Sequence, residues 1–216
     1  GNPGLVLSSM NKNAEAVQGA ASALGDVGQK LYAHAQKLQT LQLKKKNAEF
    51  DTQFRQELQD KLYSPEEETV KVNGQDITRP KGIYNRTLKQ AEGSRAEFED
   101  YYATTRQKYL SQVSDPEAQL ALANSLDNQF LSARDNVYSH EAKQMREDLV
   151  NGFKSNISQQ IKDAANATDL KSLTESVNNA VETQKSLNDA LGLDPATAKL
   201  AEQKTIADVI ESSTSA

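Results

Sequence analysis

The feature that most restricts the fold of this chain is a regular spacing of apolar residues between positions 17 and 41. The spacing alternates between three and four residues, and a histidine takes one position. The members of this series are Val17, Ala20, Leu24, Val27, Leu31, His34, Leu38 and Leu41. Heptad spacing of this kind places a narrow apolar seam along one face of a helix and predicts that the seam packs against another helix.

The same helix is predicted to change its buried face after Lys46. Large apolar residues then recur every four positions, at Phe50, Phe54, Leu58 and Leu62. The buried stripe must either drift around the helix or pack against a different partner. Ser64-Pro65 ends the pattern, because a residue before proline is disfavoured in the α conformation. We predict a helix from about residue 12 to 63, roughly 75 Å long at 1.5 Å per residue.

A short alternating segment follows this helix. Val70 and Val72 alternate with polar residues before Asn73-Gly74. Asn-Gly between alternating segments is the strongest local signal for a β-hairpin, since a type I′ turn needs positive φ at both central residues. We therefore predict a small β-hairpin or extended flap at about residues 69–78, which would be marginally stable alone.

The segment GIYNRTLKQAEG, residues 82–93, is opened and closed by glycine and lies between two helix-prone segments. We predict that it reverses the chain, so that the second helix packs back along the first. Gly82 is expected to supply backbone freedom, while Ile83 and Tyr84 attach the corner to the bundle. Gly93 is either a close-packing point or a local break in the second helix.

The remaining helices are delimited by capping and proline signals. The second helix is predicted from about residue 87 to 113, and Ser114-Asp115-Pro116 begins the third. No proline follows before residue 195, so the third helix is predicted to be as long as the first. Two shorter helices open at Thr168-Asp169 and Asp194-Pro195.

These patterns predict an all-α fold: an elongated antiparallel helical bundle or coiled coil with two very long helices and a small β-hairpin insertion. Residues 1–11 are predicted to be disordered or derived from a tag. Residues 12–165 would form the long-helix bundle, with the hairpin and turn inserted at about 64–86. Residues 166–216 would form the shorter C-terminal helices and continue into a longer parent chain.

The composition fits narrow helical seams better than a large core. Hydrophobic residues make up 37% of the chain and aromatic residues 6%, with no tryptophan. Disorder is the alternative explanation of such polarity, but long helical periodicity favours order.

Without cysteine, the chain has neither disulfides nor thiolate zinc sites. We identify no apolar run of about 18 residues and no signal peptide.

The charge distribution argues against nucleic-acid binding. The chain has 25 basic and 30 acidic residues, and the acidic excess lies in the last hundred residues. Nucleic-acid backbones require clustered lysine and arginine. We interpret the one compact basic run, Lys44-Lys45-Lys46, as a solvated helix face.

No motif in the sequence predicts catalysis. His140-Glu141 resembles the start of a zinc-protease motif, but that motif needs a second histidine where this chain has Gln144. His34 is interpreted as a packing device in the heptad seam. The carboxylate clusters, including Glu97, are interpreted as solvated faces and helix N-termini, and nucleophile and phosphate-binding motifs are absent. We therefore predict no catalytic, cofactor-binding or metal-binding residues and a non-enzymatic chain.

Four tyrosines near the predicted corner allow two interpretations. They are Tyr84, Tyr101, Tyr102 and Tyr109. They could form an aromatic binding platform, or they could fill the space between helices with their hydroxyl groups at the wet rim. The second interpretation is favoured, because tyrosine joins a large apolar ring to a polar tip.

From GIYNRTLKQAEG through SDPEAQLALANSLDNQFLSARDNVYSHEAKQM, the sequence resembles virion proteins of tailed bacteriophages and prophages. It is similar to the large helical internal or ejection-type proteins of short-tailed phages. In these, a Gly-aromatic-x-Arg turn follows a long helix and precedes a helix pair that ends in His-Glu-Ala. The resemblance covers roughly residues 47–165. One departure is that Thr87-Leu88 follow Arg86, where a second glycine often stands.

This resemblance implies a structural or delivery component of a virion that assists genome ejection. It would be made in the bacterial host cytoplasm and packaged in the virion. The implied partners are further copies of the chain, other virion proteins and, transiently, the host envelope.

A different class of protein also fits the helical pattern. A secreted bacterial translocator or effector could bind partner helices along an exposed seam.

Overall fold

The computed structural model describes residues 25–215, which are mostly helical with a small antiparallel sheet. The predicted segment 1–11, and the predicted first helix before residue 25, lie outside the described residues. Gly25 has φ 64° and ψ −132°, outside helical geometry, so the prediction of continuous helix through residue 25 is wrong and the helix begins at Asp26. The elements are α1 (Asp26–Tyr63), β1 (Glu67–Val72), β2 (Gln75–Pro80), α2 (Ser94–Leu110), α3 (Pro116–Ala165), α4 (Leu170–Leu191) and α5 (Pro195–Thr214). The predicted helical class with one hairpin is therefore confirmed. No helix among the described residues is both long enough and apolar enough to cross a membrane.

Helix α1 ends where the sequence predicts. Ser64 has φ −56° and ψ 127°, an extended conformation that fits its place before Pro65. The stripe with four-residue spacing faces inward, and its members Phe50, Phe54, Leu58 and Leu62 are all buried. The predicted burial of this stripe is therefore confirmed.

The predicted hairpin is present. Strands β1 and β2 pair antiparallel, with Val70 opposite Ile77 and Val72 opposite Gln75. Asn73 and Gly74 have φ values of 51° and 82°, the positive values that a type I′ turn requires.

The second helix begins later than predicted. Two 3₁₀ turns, Ile83–Asn85 and Leu88–Ala91, occupy the segment before α2. Gly93 has φ 78°, in the left-handed region, which interrupts helical geometry and sets the start of α2 at Ser94. The prediction of continuous helix from residue 87 is wrong, and Gly93 is a local break.

The described chain divides into two compact units. One comprises residues 25–86 and 93–140, and the other comprises residues 87–92 and 141–215. The division falls within α3, whereas the sequence pattern predicts a boundary at the turn near residue 166.

The first unit holds the larger core. It packs the buried stripe of α1 against α2 and the first half of α3. The rings of Tyr102 and Phe130 stack with centroids 4.0 Å apart and planes 10° apart. Phe98 and Phe130 stack with centroids 5.1 Å apart.

The second unit has a small core and a buried polar network. Its buried apolar cluster contains only Ala164, Ala180 and Val209 among the described residues. Gln184 Oε1 accepts from Thr205 Oγ1 at 2.7 Å, and Gln184 Nε2 donates to Asn188 Oδ1 at 2.8 Å. Close packing of polar amides therefore replaces part of the apolar core.

The predicted helix caps are present at both C-terminal helices. Asp169 accepts from Ser172 N and Asp194 from Thr197 N, each at 2.7 Å. These backbone hydrogen bonds lower the pKa of both carboxyl groups, since they stabilise the ionised form.

Candidate functional site

The corner between the hairpin and α2 begins with a close backbone contact. A Cβ atom on Gly82 would lie 2.5 Å from Ser64 N and 2.6 Å from Ser64 O. Gly82 has φ −68°, which any residue adopts. The expectation that Gly82 supplies backbone freedom is therefore wrong, because the position needs a residue without a side chain.

The rest of the corner is attached to the end of α1. Asn85 Nδ2 donates to Tyr63 O at 3.0 Å and to Ser64 O at 3.2 Å, which satisfies carbonyls left open at the helix terminus. Ile83 is fully buried in the core, and the Tyr84 ring packs edge-on against Tyr63. The predicted attachment through Ile83 and Tyr84 is confirmed.

Arg86 is the central group of this corner. Its side chain is 0% exposed, and its guanidinium makes five hydrogen bonds. The acceptors are Pro80 O at 2.9 Å, Lys81 O at 2.9 Å, Ser94 Oγ at 3.3 Å, Glu97 Oε2 at 2.5 Å and Glu68 Oε1 at 3.3 Å. A guanidinium carries five N–H donors, so every donor has a partner.

A second arginine joins the same two carboxylates. Arg79 Nε donates to Glu68 Oε1 at 3.1 Å, and Arg79 Nη2 donates to Glu97 Oε1 at 2.7 Å. Lys61 Nζ lies 3.6 Å from Glu97 Oε2. Three cations from α1, β2 and the corner therefore share two carboxylates from β1 and α2. We call these five residues the arginine cluster.

The arginine cluster changes the acidity of Glu97. Burial alone would raise the pKa of this carboxyl group. The hydrogen bond and charge of Arg86, with the charges of Lys61 and Arg79, outweigh burial and hold the pKa below its usual value. Glu97 was predicted to lie on a solvated face or at a helix N-terminus. It lies in the first turn of α2, and its carboxylate is paired with Arg86.

His140 lies at the corner and in no metal site among the described residues. Its Nε2 is 2.9 Å from Arg86 O, and its ring packs edge-on against Tyr84. Gln144, which stands where a zinc motif would need histidine, accepts a hydrogen bond from Leu88 N at 2.9 Å.

The four tyrosines do not form one platform. Tyr84 lies at the corner, whereas Tyr102 and Tyr109 pack in the core between helices. Tyr109 is 1% exposed and donates to Glu57 Oε1 at 2.9 Å, and Tyr102 donates to Asp127. These contacts favour the interpretation that tyrosines fill space between helices.

A cleft of about 440 Å³ lies beside the arginine cluster. Its charged lining is largely paired, as in the Lys81–Glu66 ion pair at 2.9 Å. Burial, followed by the charge of Glu57, raises the pKa of the Tyr101 hydroxyl to about 12, so it stays protonated at neutral pH. The charged groups beside it form structural ion pairs, as in Lys61–Glu97 and Lys81–Glu66.

The heptad seam is the other notable surface. Its described apolar members are Val27, Leu31, Leu38 and Leu41, which are 62%, 50%, 46% and 53% exposed. His34 is also exposed. The seam is regular but has no partner among residues 25–215, so the predicted packing of His34 finds no counterpart there.

Sequence reasoning did not identify the arginine cluster. Glu68 and Glu97 lie 18 residues before and 11 residues after Arg86, and no periodicity links them. The one available signal was the position of Arg86 in the Gly-Ile-Tyr-Asn-Arg turn between the hairpin and the second helix.

Comparison of the chain with protein-family models, with curated proteins and with solved structures gives no match.

The close contact at Gly82 predicts a specific intolerance to a methyl group. Gly82→Ala should lower the free energy of unfolding by about 1–3 kcal/mol, since the backbone of Ser64 must move. Gly152→Ala is the matched control, because a Cβ there meets nothing within 4 Å. In a helix interior that change should stabilise by about 0.5–1 kcal/mol. Urea unfolding measures both, and equal effects would contradict the packing argument.

Removing Arg86 should be far more costly than removing a half-exposed arginine. Arg86→Met should lower the free energy of unfolding by about 3–5 kcal/mol, since it leaves buried acceptors unpaired. Arg106 is 39% exposed and pairs with Asp127 at 2.9 Å. Arg106→Met should cost no more than about 1 kcal/mol. A loss in Arg86→Met no larger than that in Arg106→Met would show that the cluster is not structurally central.

Lowering the pH should destabilise the corner, because it protonates Glu97. Unfolding returns its pKa to the usual value of about 4.3, above the native value, so the unfolded state binds more protons. The stabilisation is fully present above that usual pKa and is lost as pH falls through the lowered native pKa. Urea unfolding between about pH 6 and 3 should show a steeper loss in the parent than in Glu97→Gln. Identical pH slopes would contradict this assignment.

Proposed function

We propose that this chain is a non-enzymatic structural and delivery component of a tailed-bacteriophage or prophage virion, an internal or tail-associated protein that assists genome ejection. The observation that carries the proposal is the exposed heptad seam of α1. The resemblance of residues 47–165 to ejection-type virion proteins supplies the setting.

The seam supports an assembly role because it is regular and lies on a firmly held helix. Scattered exposed apolar residues are normal on soluble proteins, but an ordered apolar row suggests a binding surface. The other end of α1 is fixed by the buried stripe and by the contacts of Gly82 and Asn85 with residues 63 and 64. One helix thus joins a packed unit to a surface suited to assembly.

The small core of the second unit supports a delivery role. Partly buried Ile161, Leu173 and Val177 surround its buried alanines and valine. Helices whose stability comes from thin apolar seams can unpack and repack without rebuilding a large core. Passage through a narrow portal or tail requires such behaviour.

The proposal includes the finer architecture expected from the sequence. The long helices would form an antiparallel bundle or coiled coil within the assembled particle, with two very long helices at its centre. The partners would be further copies of the chain, other virion proteins and, transiently, the host envelope. Nucleic-acid binding is not part of the proposal, because the chain has a net charge of −5 and its one compact basic run is Lys44-Lys45-Lys46.

Mass spectrometry of purified virions tests this proposal. Particles from an infected or induced culture that makes the chain should contain it at a fixed ratio to capsid protein after nuclease treatment and density-gradient purification. Its abundance in the lysate and absence from purified particles would contradict the proposal. Enrichment in the culture medium before lysis would instead favour a secreted helical interaction protein.

A further inference from the structure

Helix α1 carries two apolar faces that point in different directions. Helical residues advance by about 100° each, so the centre of the exposed seam lies about 150° around the helix from the buried stripe. Phe54 is 0% exposed on one face, whereas Leu31 is 50% exposed on the other. A partner on the seam would therefore meet α1 on the side away from its own core.

We propose that the seam binds a second copy of this chain, with the two α1 helices parallel and in register. The inference deepens the proposed assembly role by naming the partner of the seam and its orientation. It rests on the heptad pattern, the charges beside the seam and the polar layer within it.

The heptad pattern makes the seam complementary to itself. With Leu31 and Leu38 at position a, Val27, His34 and Leu41 occupy position d. In a parallel pair in register, each seam residue lies against the same residue of the partner helix. The sequence continues the same spacing upstream at Val17, Ala20 and Leu24, outside the described residues. Within α1 the seam runs from Val27 to Leu41 and spans about two heptads, because Gly25 has φ 64° and lies before the first residue of the helix.

Three lysines along one edge of the seam determine the orientation. Lys30, Lys37 and Lys44 occupy successive g positions, are exposed, and make no ion pair with the described residues. In a parallel pair, each g position faces the e position of the following heptad in the partner.

The e positions that the lysines would face are Ala35, Gln42 and Glu49. Lys44 would thus face Glu49, an attractive pair, and the other two lysines would face uncharged residues. An antiparallel pair would instead set g against g, so the two lysine rows would repel each other. The charges therefore favour the parallel arrangement.

His34 favours one register. A polar residue at a single core position of a coiled coil specifies alignment, since a shifted register places it against apolar residues. A shift of one heptad would set His34 against Val27 or Leu41. Alignment in register instead places the two imidazole rings in one layer.

Disulfide crosslinking tests orientation directly, because the chain has no cysteine of its own. Val27→Cys and Leu41→Cys place thiols at d positions near opposite ends of the described seam. A parallel pair in register brings each thiol within the roughly 7 Å Cα separation that a disulfide allows. Both variants should therefore form covalent dimers on mild oxidation. Ala33→Cys, exposed on another face of α1, is the matched control and should stay monomeric.

Two crosslinking outcomes would overturn the inference. If the variants crosslink only when Val27→Cys and Leu41→Cys are mixed, the helices are antiparallel. If neither crosslinks above the level of Ala33→Cys, the seam binds something other than this chain.

A double variant tests the seam without altering the fold. Leu31→Asp with Leu38→Asp should raise the dissociation constant of the pair at least about tenfold, as measured by analytical ultracentrifugation. The reason is that two aspartates would face each other at each altered position of the seam. Circular dichroism should stay unchanged, because both side chains are exposed. Leu120→Asp, at a site 63% exposed on α3, is the control and should leave self-association intact. Equal self-association of all three proteins would overturn the inference.

The inference and the proposed function can fail separately. Presence in purified virions without crosslinking through the seam would remove only the inference. Crosslinking without presence in virions would remove the virion setting and leave the parallel pair.

Discussion

The fully buried guanidinium of Arg86 is the constraint on which the rest of the first unit depends. A buried charge is tolerable only when its donors are satisfied and a counterion is near. Its five acceptors come from both hairpin strands, the loop after them and the start of α2. None of these segments can leave without exposing an unpaired group, so the hairpin, corner and helix are expected to form together. A hairpin that would be marginal alone is thereby stabilised.

The corner beside this cluster also determines which face of α1 is available for assembly. Gly82 brings the corner against the backbone of Ser64, and Asn85 binds the terminal carbonyls of the helix. Those contacts fix the rotation of α1, so its buried stripe enters the core. The heptad seam, on nearly the opposite face, is then directed to solvent. In the proposed virion component, folding of the corner and presentation of the assembly surface are one structural event.

Local signals in the sequence predicted local structure well. The Asn73-Gly74 hairpin and the Asp169 and Asp194 caps depend on neighbouring residues, and all three are present. The candidate site was harder to predict, because its contacts join residues without a common period. The sequence around Glu97 is typical of a solvated helix face, yet Glu97 is the counterion of Arg86. Position 82 requires glycine because the backbone of Ser64 lies too close for a side chain. Such a close approach cannot be predicted from the order of residues.

The most direct test of this account is amide hydrogen exchange at two protein concentrations. The account predicts that amides of residues 31–45 exchange more slowly as concentration rises, because the seam becomes covered by a second copy. Amides of residues 50–62 should exchange at the same slow rate at both concentrations, because their stripe is already buried within one chain. Exchange of residues 31–45 that does not depend on concentration, or equal slowing of both segments, would contradict the account.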